Sequence, residues 1–542
     1  MDDMPTNDDG PKFVPLEPGL SLRFHEAVLF QWCLKEVKYQ MASVREPEPD
    51  DLESDVGKSS RESFRCFVNK LAQICDNELR GKTVTAFAVL QPGEIQYWFA
   101  SNQRSSDELE QTRVYIADIL RTLGTTPDDQ LDGVYGTLLD KIVAFNRPVL
   151  KEHIKNLTRK DNIDHCAKVS EDEGTAEAQE AARNLQSLAG YRVLGEKATP
   201  ENFAAQTREL LETIDKLYNS PFEGFFREKA RADRDPTSKT PWSEVRHAFS
   251  RLQSYNIAVR YLISMRRRRH ELFDDPVVVP VPSSARCSCP NLRRTVDGIL
   301  KRFPEKLKIA EAYNAYIPDE QKKLMTGKIK MYANGKNDKF KPYVHAELVL
   351  LDAVLSYEQR EGAALRFFAE ADFDRYIGCS KPTCRLCKLY VDNHPSGVEF
   401  RASHGNIYHE WRAPDILDDG GVGVEEAKKA RQKIHDKMLE ALRQMIKRTI
   451  TENVAERKQH DSNSSPTSYI GEGSSTYSPH LGGQAAIDRM DSISTRGAMD
   501  DSEDVSTTFG RLTLGSGGGE SARAESSTPI SGSSRDTTPH SA

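Results

Sequence analysis

Long apolar runs are missing from this sequence. No stretch reaches the roughly 18 to 20 apolar residues that a membrane-spanning helix needs. Residues 1–15 also lack the basic segment followed by an apolar one that marks a secretory signal. We therefore expect no membrane association and a location in the cytoplasm or the nucleus.

Cysteine is scarce as well, with nine residues in a chain of 542. The cytoplasm and nucleus keep thiols reduced, so these cysteines do not predict a disulfide framework. In this setting a cysteine cluster first indicates a metal or catalytic site. Cys287 and Cys289 are an alternative metal pair, although we interpret them as two independent thiols.

An excess of positive charge is also absent. The formal net charge of -7 argues against a broad basic groove for nucleic acid. A small substrate or a narrow local groove stays compatible with this composition. The arginine run at residues 266–269 is an alternative phosphate site, but we interpret it as a solvated helix end.

The length predicts two to four folding units, and the mean hydropathy of -0.62 predicts disordered stretches. We expect disorder in residues 1–19 and in the tail 459–542, which is rich in Ser, Thr and Gly. Such segments have too few large apolar side chains to offset the entropy of ordering.

The ordered part divides into four regions by its apolar pattern. Residues 20–81 predict a helical entry region, interrupted by an acidic segment at 45–55. Residues 82–102 predict a β-hairpin, since two β-rich runs flank a Pro-Gly turn. Residues 103–275 have helical spacing and predict a helical insertion or an accessory helical domain, followed by a core at 276–415.

The core and the segment after it contain three further predicted elements. Within the core, we expect one helix over residues 297–315 and a short buried strand over 375–379. Residues 424–458 predict a long amphipathic helix. Its apolar side could pack on the rest of the chain or, through residues 424–457, bind a partner protein.

Two motifs in the core carry the chemistry. His345 and Glu347 follow Pro342 at the start of an apolar helix, where both side chains can face the open end. Cys384 and Cys387 are spaced to share the first turn of a second helix. One histidine and two cysteines leave the fourth corner of a tetrahedral zinc ion to water, as in catalytic sites. Glu347 is the candidate acid/base residue.

The two motifs together resemble the signature of the cytidine-deaminase-like zinc deaminase superfamily. The flanking segments 376–381 and 403–408, with Trp411, are similar to its OTT_1508-like branch, which is largely fungal. One departure is clear: Thr383 stands before Cys384, where the usual signature has proline, and Pro382 lies one place earlier.

The resemblance implies an α/β fold, the α/β/α sandwich of that superfamily. It also implies bound Zn²⁺ and hydrolytic removal of an amino group from cytosine or adenine, in a nucleotide or single-stranded nucleic acid. By the same resemblance Asn102, at the end of the hairpin, contacts the sugar or base. We add Ser380 and Trp411 as candidate substrate contacts, although Trp411 could equally be a core residue.

Several alternatives remain open at this point. The chain could be a non-catalytic interaction protein in which zinc only staples the fold. Cys379 could act as a fourth ligand that closes the site, although we interpret it as a small buried residue. His404 could approach the pocket or be an internally satisfied histidine. A zinc peptidase is disfavoured because no His-x-x-x-His pair surrounds Glu347.

Overall fold

The computed structural model describes residues 13–37, 59–196, 200–233, 240–287, 292, 295–333, 341–362, 365–417 and 423–451. The expected disordered tail at 459–542, the acidic break at 45–55 and Cys289 lie outside these residues. The described chain is mixed α/β and mostly helical, in agreement with the expected α/β class.

The helices follow one another along the whole described chain. They are α1 Pro18–Val37, α2 Ser60–Gln73, α3 Ser106–Thr125, α4 Val134–Phe145, α5 Arg147–Leu157, α6 Lys160–Glu173, α7 Ala176–Ala189, α8 Arg192–Glu196, α9 Pro200–Tyr218, α10 Pro221–Ala232, α11 Pro241–Arg268, α12 Val296–Leu300, α13 Lys306–Tyr316, α14 Asp319–Ala333, α15 Ala346–Glu361, α16 Glu370–Phe373, α17 Arg385–Asp392 and α18 Gly423–Thr451.

The strands are β1 Phe13–Val14, β2 Thr85–Leu90, β3 Gln96–Ser101, β4 Val277–Val281, β5 Tyr376–Cys379, β6 Glu399–Phe400 and β7 Ile416–Leu417. Five of them form one sheet in the order β4-β3-β2-β5-β6. Strands β2 and β3 are the expected hairpin, paired antiparallel from Thr85 with Ser101 to Leu90 with Gln96. Strand β5 continues the sheet antiparallel to β2, while β4 and β6 pair in parallel at the two edges.

The central strands β2 and β3 are buried on both faces, which explains why they are apolar almost without interruption. Side chains alternate across a strand. Phe87 and Val89 therefore enter a first core on one face of the sheet, while Ala86 and Ala88 enter a second core on the other face. Helix α2 packs on the first face and helix α15 on the second. The sheet therefore lies between helices on both sides.

The helices α3 to α11 connect strands β3 and β4, in the region where we expect a helical insertion or an accessory helical domain. These two strands are neighbours in the sheet, so the chain leaves the sheet and returns beside the strand it left. Two arginines of the run at the end of α11 contact the end of α3 and the turn after it. Arg266 donates to the Leu123 carbonyl and pairs with Asp128, while Arg267 pairs with Asp132. The side chains of Arg266 and Arg267 are only 11% and 17% exposed, so this helix end is packed against the chain and is not the solvated end that we expected.

The N-terminal expectation needs a correction, because the end of the segment 1–19 is ordered. Strand β1 pairs antiparallel with β7, and α1 begins at Pro18. The guanidinium of Arg431 holds this segment by donating to the Val14 and Pro15 carbonyls at 3.0 and 2.9 Å. The sequence pattern missed these contacts because a two-residue strand carries no periodicity.

Helix α18 packs along α1 and α13. Its apolar residues Ile434, Met438, Leu442 and Ile446 are buried against this second core. The apolar face that we considered for a partner protein is thus covered within the chain, which leaves the polar face for any partner. In the part of the chain that the structure describes, no helix has the length and apolar character to cross a membrane.

Candidate metal centre

The first ligand-bearing segment is the start of helix α15. His345 is the N-cap residue, with extended backbone angles of -72° and 153°, so the helix proper begins at Ala346. This places Glu347 in the first turn, as the spacing predicted. His345 is 7% exposed and Glu347 is 4% exposed. Both side chains therefore lie in the protein interior and not on a solvated helix end.

The second segment is the start of helix α17. Cys384 is its N-cap residue, and its Sγ accepts a hydrogen bond from the Cys387 backbone N–H at 3.4 Å. Both thiols are buried. A thiol at an N-cap position replaces the usual hydroxyl or carboxylate, and the helix dipole there favours thiolate over thiol.

The two helix starts bring their side chains to one point. His345 Nδ1 lies 3.5 Å from Cys384 Sγ and also 3.5 Å from Cys387 Sγ. A tetrahedral zinc ion with bonds of about 2.3 Å to sulfur and 2.0 Å to nitrogen separates such atoms by about 3.5 Å. Among the described residues, these three form a group that can hold a metal ion, and the soft donor set suits zinc. The residues fit the expected ion.

The pKa values of the two thiols are shifted in opposite directions. Burial raises the pKa of a thiol, but at Cys384 the hydrogen bonds from Cys387 and the charge of His345 outweigh it and hold the pKa well below its ordinary value. Burial and the neighbouring Cys384 hold the pKa of Cys387 well above its ordinary value. One thiolate therefore forms first, and a bound cation favours the second.

Glu347 has the protonation behaviour of an acid/base residue. Burial raises the pKa of its carboxyl to about 7, against the opposing charge of His345. A carboxyl with a pKa near neutrality can both accept and donate a proton under physiological conditions. The Cys379 thiol contacts this carboxyl, and Cys379 does not belong to the metal-binding group of the described residues. Its contact is with Glu347.

Residues 344–415 match the family model of the OTT_1508-like deaminases. This segment is a deaminase-like domain. It contains both ligand-bearing helix starts, Glu347 and strand β5. No match was found among curated proteins or among solved structures.

The sheet of the deaminase-like domain extends beyond the matched segment. Strand β5 pairs with β2 of the hairpin, and the Ala346 N–H at the start of α15 donates to Asn102 Oδ1 at 2.8 Å. Asn102 Nδ2 in turn donates to the Gly81 carbonyl at 2.8 Å. The predicted sugar contact of Asn102 stays a prediction. Its observed contacts hold the helix that carries His345 and Glu347.

Ser380 and Trp411 are also engaged within the chain. The Ser380 hydroxyl accepts from the Thr85 N–H at 3.2 Å and donates to Asp76 Oδ2 at 3.3 Å. The first bond joins the loop before Cys384 to the hairpin. Trp411 is 0% exposed, which favours the core interpretation, since no base can stack on it in this conformation. Contact between Ser380 and substrate stays a prediction.

The remaining candidates have ordinary structural contacts. His404 is buried, and its Nδ1 accepts from the Asn406 N–H at 2.9 Å, as expected for an internally satisfied histidine. Cys287 is exposed, and its backbone N–H donates to the Pro342 carbonyl at 3.0 Å. Thr383, the departure from the usual signature, is fully buried and joins Ser403 through a parallel β-bridge.

Sequence reasoning missed the aromatic and charged side chains beside His345. The Tyr343 ring lies 5.3 Å from the imidazole, and the Arg286 guanidinium lies 4.7 Å above that tyrosine ring. Arg286 also pairs with Glu410 at 3.2 Å. Motif analysis could have identified Tyr343, because it precedes His345 by two positions. It could not have identified Arg286, since the loop of that residue has no recognisable spacing to the motif.

Proposed function

We propose that the deaminase-like domain is a zinc-dependent hydrolase that removes the exocyclic amino group of cytosine or adenine, in a nucleotide or single-stranded nucleic acid. The observation that carries the proposal is the position of His345 Nδ1, at equal distance from two thiols, with the carboxyl of Glu347 buried in the adjoining helical turn. We assign the domain to the fungal-type branch of the cytidine-deaminase-like superfamily and to its α/β/α sandwich fold.

Each residue then has a defined task. His345, Cys384 and Cys387 hold the zinc ion, which when bound supplies Lewis-acid activation of water. Glu347 would accept a proton from the attacking water and deliver it to the departing amine. The amino-bearing carbon gains oxygen and loses ammonia, so one water is consumed for each ammonia released. A carboxyl with a pKa near 7 suits both halves of this transfer.

Three protein ligands are what a hydrolytic zinc site requires, because a fourth would occupy the coordination position that water needs. Cys379 is the residue that could have supplied a fourth ligand. Its thiol contacts the Glu347 carboxyl instead, which supports an open site.

The substrate class follows from the chemistry of the site and from composition. A buried site of this type reaches a base that is unstacked or already single-stranded. The net charge of -7 favours a small substrate or a narrow local groove over a broad nucleic-acid surface. We further propose the cytoplasm or nucleus as its location, since Cys384 and Cys387 must stay reduced to bind zinc.

The test combines metal analysis with product analysis. Zinc is quantified in the purified wild type and in Glu347→Gln, and both are incubated with free bases, nucleosides, nucleotides and single-stranded oligonucleotides. We expect one zinc per chain in both proteins, and ammonia with the matching converted base only in the wild type. Equal activity of the two proteins would refute the assigned role of Glu347.

The same panel separates catalysis from a structural role of zinc. If zinc-loaded wild type converts no base in any form, and zinc removal unfolds the domain, the ion staples an interaction protein. That outcome would replace the proposed function with the non-catalytic alternative.

A further inference from the structure

Trp411 lies against the metal-binding group without belonging to it. Its ring is fully buried between Phe24 of α1 and Tyr390 of α17, at centroid distances of 5.6 and 6.2 Å. Its backbone forms a parallel β-bridge with Tyr343, two residues before His345. The position of the ring is therefore fixed both by side-chain packing and by the backbone bridge.

The polar atom of this ring points at a metal-binding sulfur. Trp411 Nε1 donates to Cys387 Sγ at 3.3 Å. An indole N–H can only donate, and burying it without an acceptor is unfavourable. A thiolate accepts such a bond more strongly than a thiol, because hydrogen bonds to charged acceptors are roughly twice as strong.

The two sulfurs thus each accept one N–H, from different sources. Cys384 Sγ accepts the backbone N–H of Cys387, whereas Cys387 Sγ accepts the side chain of Trp411. Only the second bond can be removed by substitution. A donor beside a metal-bound sulfur fixes its direction and withdraws negative charge from it, and such outer contacts commonly change metal affinity 10–100-fold.

We propose that Trp411 is a positioning residue of the metal centre, whose indole N–H orients Cys387 Sγ towards His345 Nδ1. The inference rests on the metal-binding part of the proposed function and is independent of which base, if any, is deaminated. It replaces the stacking role that the sequence suggested for this tryptophan.

The chain offers a matched control in Trp98. This residue is also buried in the second core, at 9% exposed, and its Nε1 donates to Gln96 Oε1 at 2.9 Å. Trp98→Phe removes a buried indole N–H from β3, and its hydrogen-bond acceptor is Gln96 rather than a ligand sulfur. Trp411→Phe removes the corresponding N–H at the sulfur and keeps an aromatic ring.

The experiment uses the full-length protein in three forms, wild type, Trp411→Phe and Trp98→Phe. Zinc affinity is measured by competition with a chelator, and Co²⁺ is substituted to record the thiolate-to-cobalt charge-transfer band. We expect Trp411→Phe to bind zinc about 10-fold more weakly. We also expect its band at longer wavelength, because a sulfur without the donor is more electron-rich. Trp98→Phe keeps the wild-type affinity and band.

Three results would overturn the inference. An unmoved band in Trp411→Phe, with or without weaker zinc binding, shows that the indole serves packing only. The same shift in Trp98→Phe shows a general effect of losing a buried tryptophan. If the wild type itself binds no zinc, the proposed function fails together with the inference.

A measurement on the wild type covers the case in which Trp411→Phe does not fold. The chain has four tryptophans, so ¹⁵N-labelled indole groups give four N–H signals. Trp98→Phe and matching changes at Trp32 and Trp242 assign the other three, which leaves Trp411. We expect zinc to move the Trp411 signal most, and an unmoved Trp411 signal would count against the bond.

Discussion

At the scale of single residues, the imidazole of His345 presents Nδ1 to both sulfurs. A histidine binds a metal ion only through a deprotonated nitrogen, and a cysteine only as thiolate. Burial lowers the pKa of His345, but the charge of Cys384 outweighs it and raises that pKa above its ordinary value. Metal binding and proton release are consequently coupled at this site.

The position of Cys379 decides whether the proposed zinc site keeps a coordination position for water or has a fourth protein ligand. Because its thiol contacts Glu347 and not the metal-binding group, we expect Cys379→Ala to retain one zinc per chain. Cys384→Ala removes one of the three proposed ligands, and we expect it to lose most of its zinc. Metal content after dialysis against a weak chelator measures the difference. Loss of zinc in Cys379→Ala would show that this thiol is a ligand.

At the scale of elements, the start of α15 depends on the hairpin. Asn102 Oδ1 accepts the Ala346 N–H, one of the amide groups that a helix start leaves without an internal partner. The residue that satisfies it is 244 positions away in sequence. The hairpin therefore helps to orient the helix that carries Glu347, even though it lies outside the segment that matches the deaminase model.

This contact leads to a graded expectation for two substitutions. Asn102→Ala removes the acceptor and leaves a buried N–H unpaired, so we expect the free energy of unfolding to fall by about 1–3 kcal/mol. Asn102→Asp keeps the acceptor and adds negative charge at a helix N-terminus, so we expect a smaller loss. Urea unfolding measures both. A larger loss in Asn102→Asp than in Asn102→Ala would contradict this account.

The elements nearest the metal centre were the most predictable ones. Strand β5 and the starts of α15 and α17 lie where apolar pattern and ligand spacing placed them, because local rules govern a buried strand and a helix first turn. The single helix expected over 297–315 is instead two, α12 and α13, since Pro304 lies between them and cannot continue a helix.

Contacts between distant segments could not be predicted from the sequence. Nothing in the pattern links Asn102 to Ala346, Trp411 to Cys387 or β1 to β7, because each pair joins residues far apart in the chain. The prediction of a side-chain role for Trp411 failed for the same reason. Trp411 suits a stacked base as well as a core until its neighbours Phe24 and Tyr390 are known.

At the scale of the whole molecule, buried histidines make the fold sensitive to acid. Burial lowers the pKa of His25 and of His153 to about 3, and that of His409 and of His435 to about 4. The unfolded chain protonates these rings near pH 6.5. Between the two values the unfolded state holds more protons, so each histidine makes stability fall as pH drops below about 6.5.

A single substitution isolates one such contribution. Burial raises the pKa of Asp352 to about 6, which acts in the opposite direction, so the wild type must serve as the reference. We expect His435→Asn to lose less stability than the wild type between pH 6.5 and 4, by up to about 1.4 kcal/mol per pH unit. Urea unfolding across this range measures it. The exposed His165→Asn is the control, and parallel curves for all three proteins would rule out the effect.

The place of the helical insertion also sets the order in which a newly synthesised chain can assemble. The Thr85 N–H can bond to Ser380 only after that residue leaves the ribosome, 295 residues later. At typical elongation rates this delay is roughly 15 to 60 s. During that time the hairpin and the insertion can fold together, while one edge of the hairpin still lacks its neighbouring strand. The proposed zinc site is complete only after that strand and Cys387 have emerged, so on this proposal metal loading is a late event in the biogenesis of the protein.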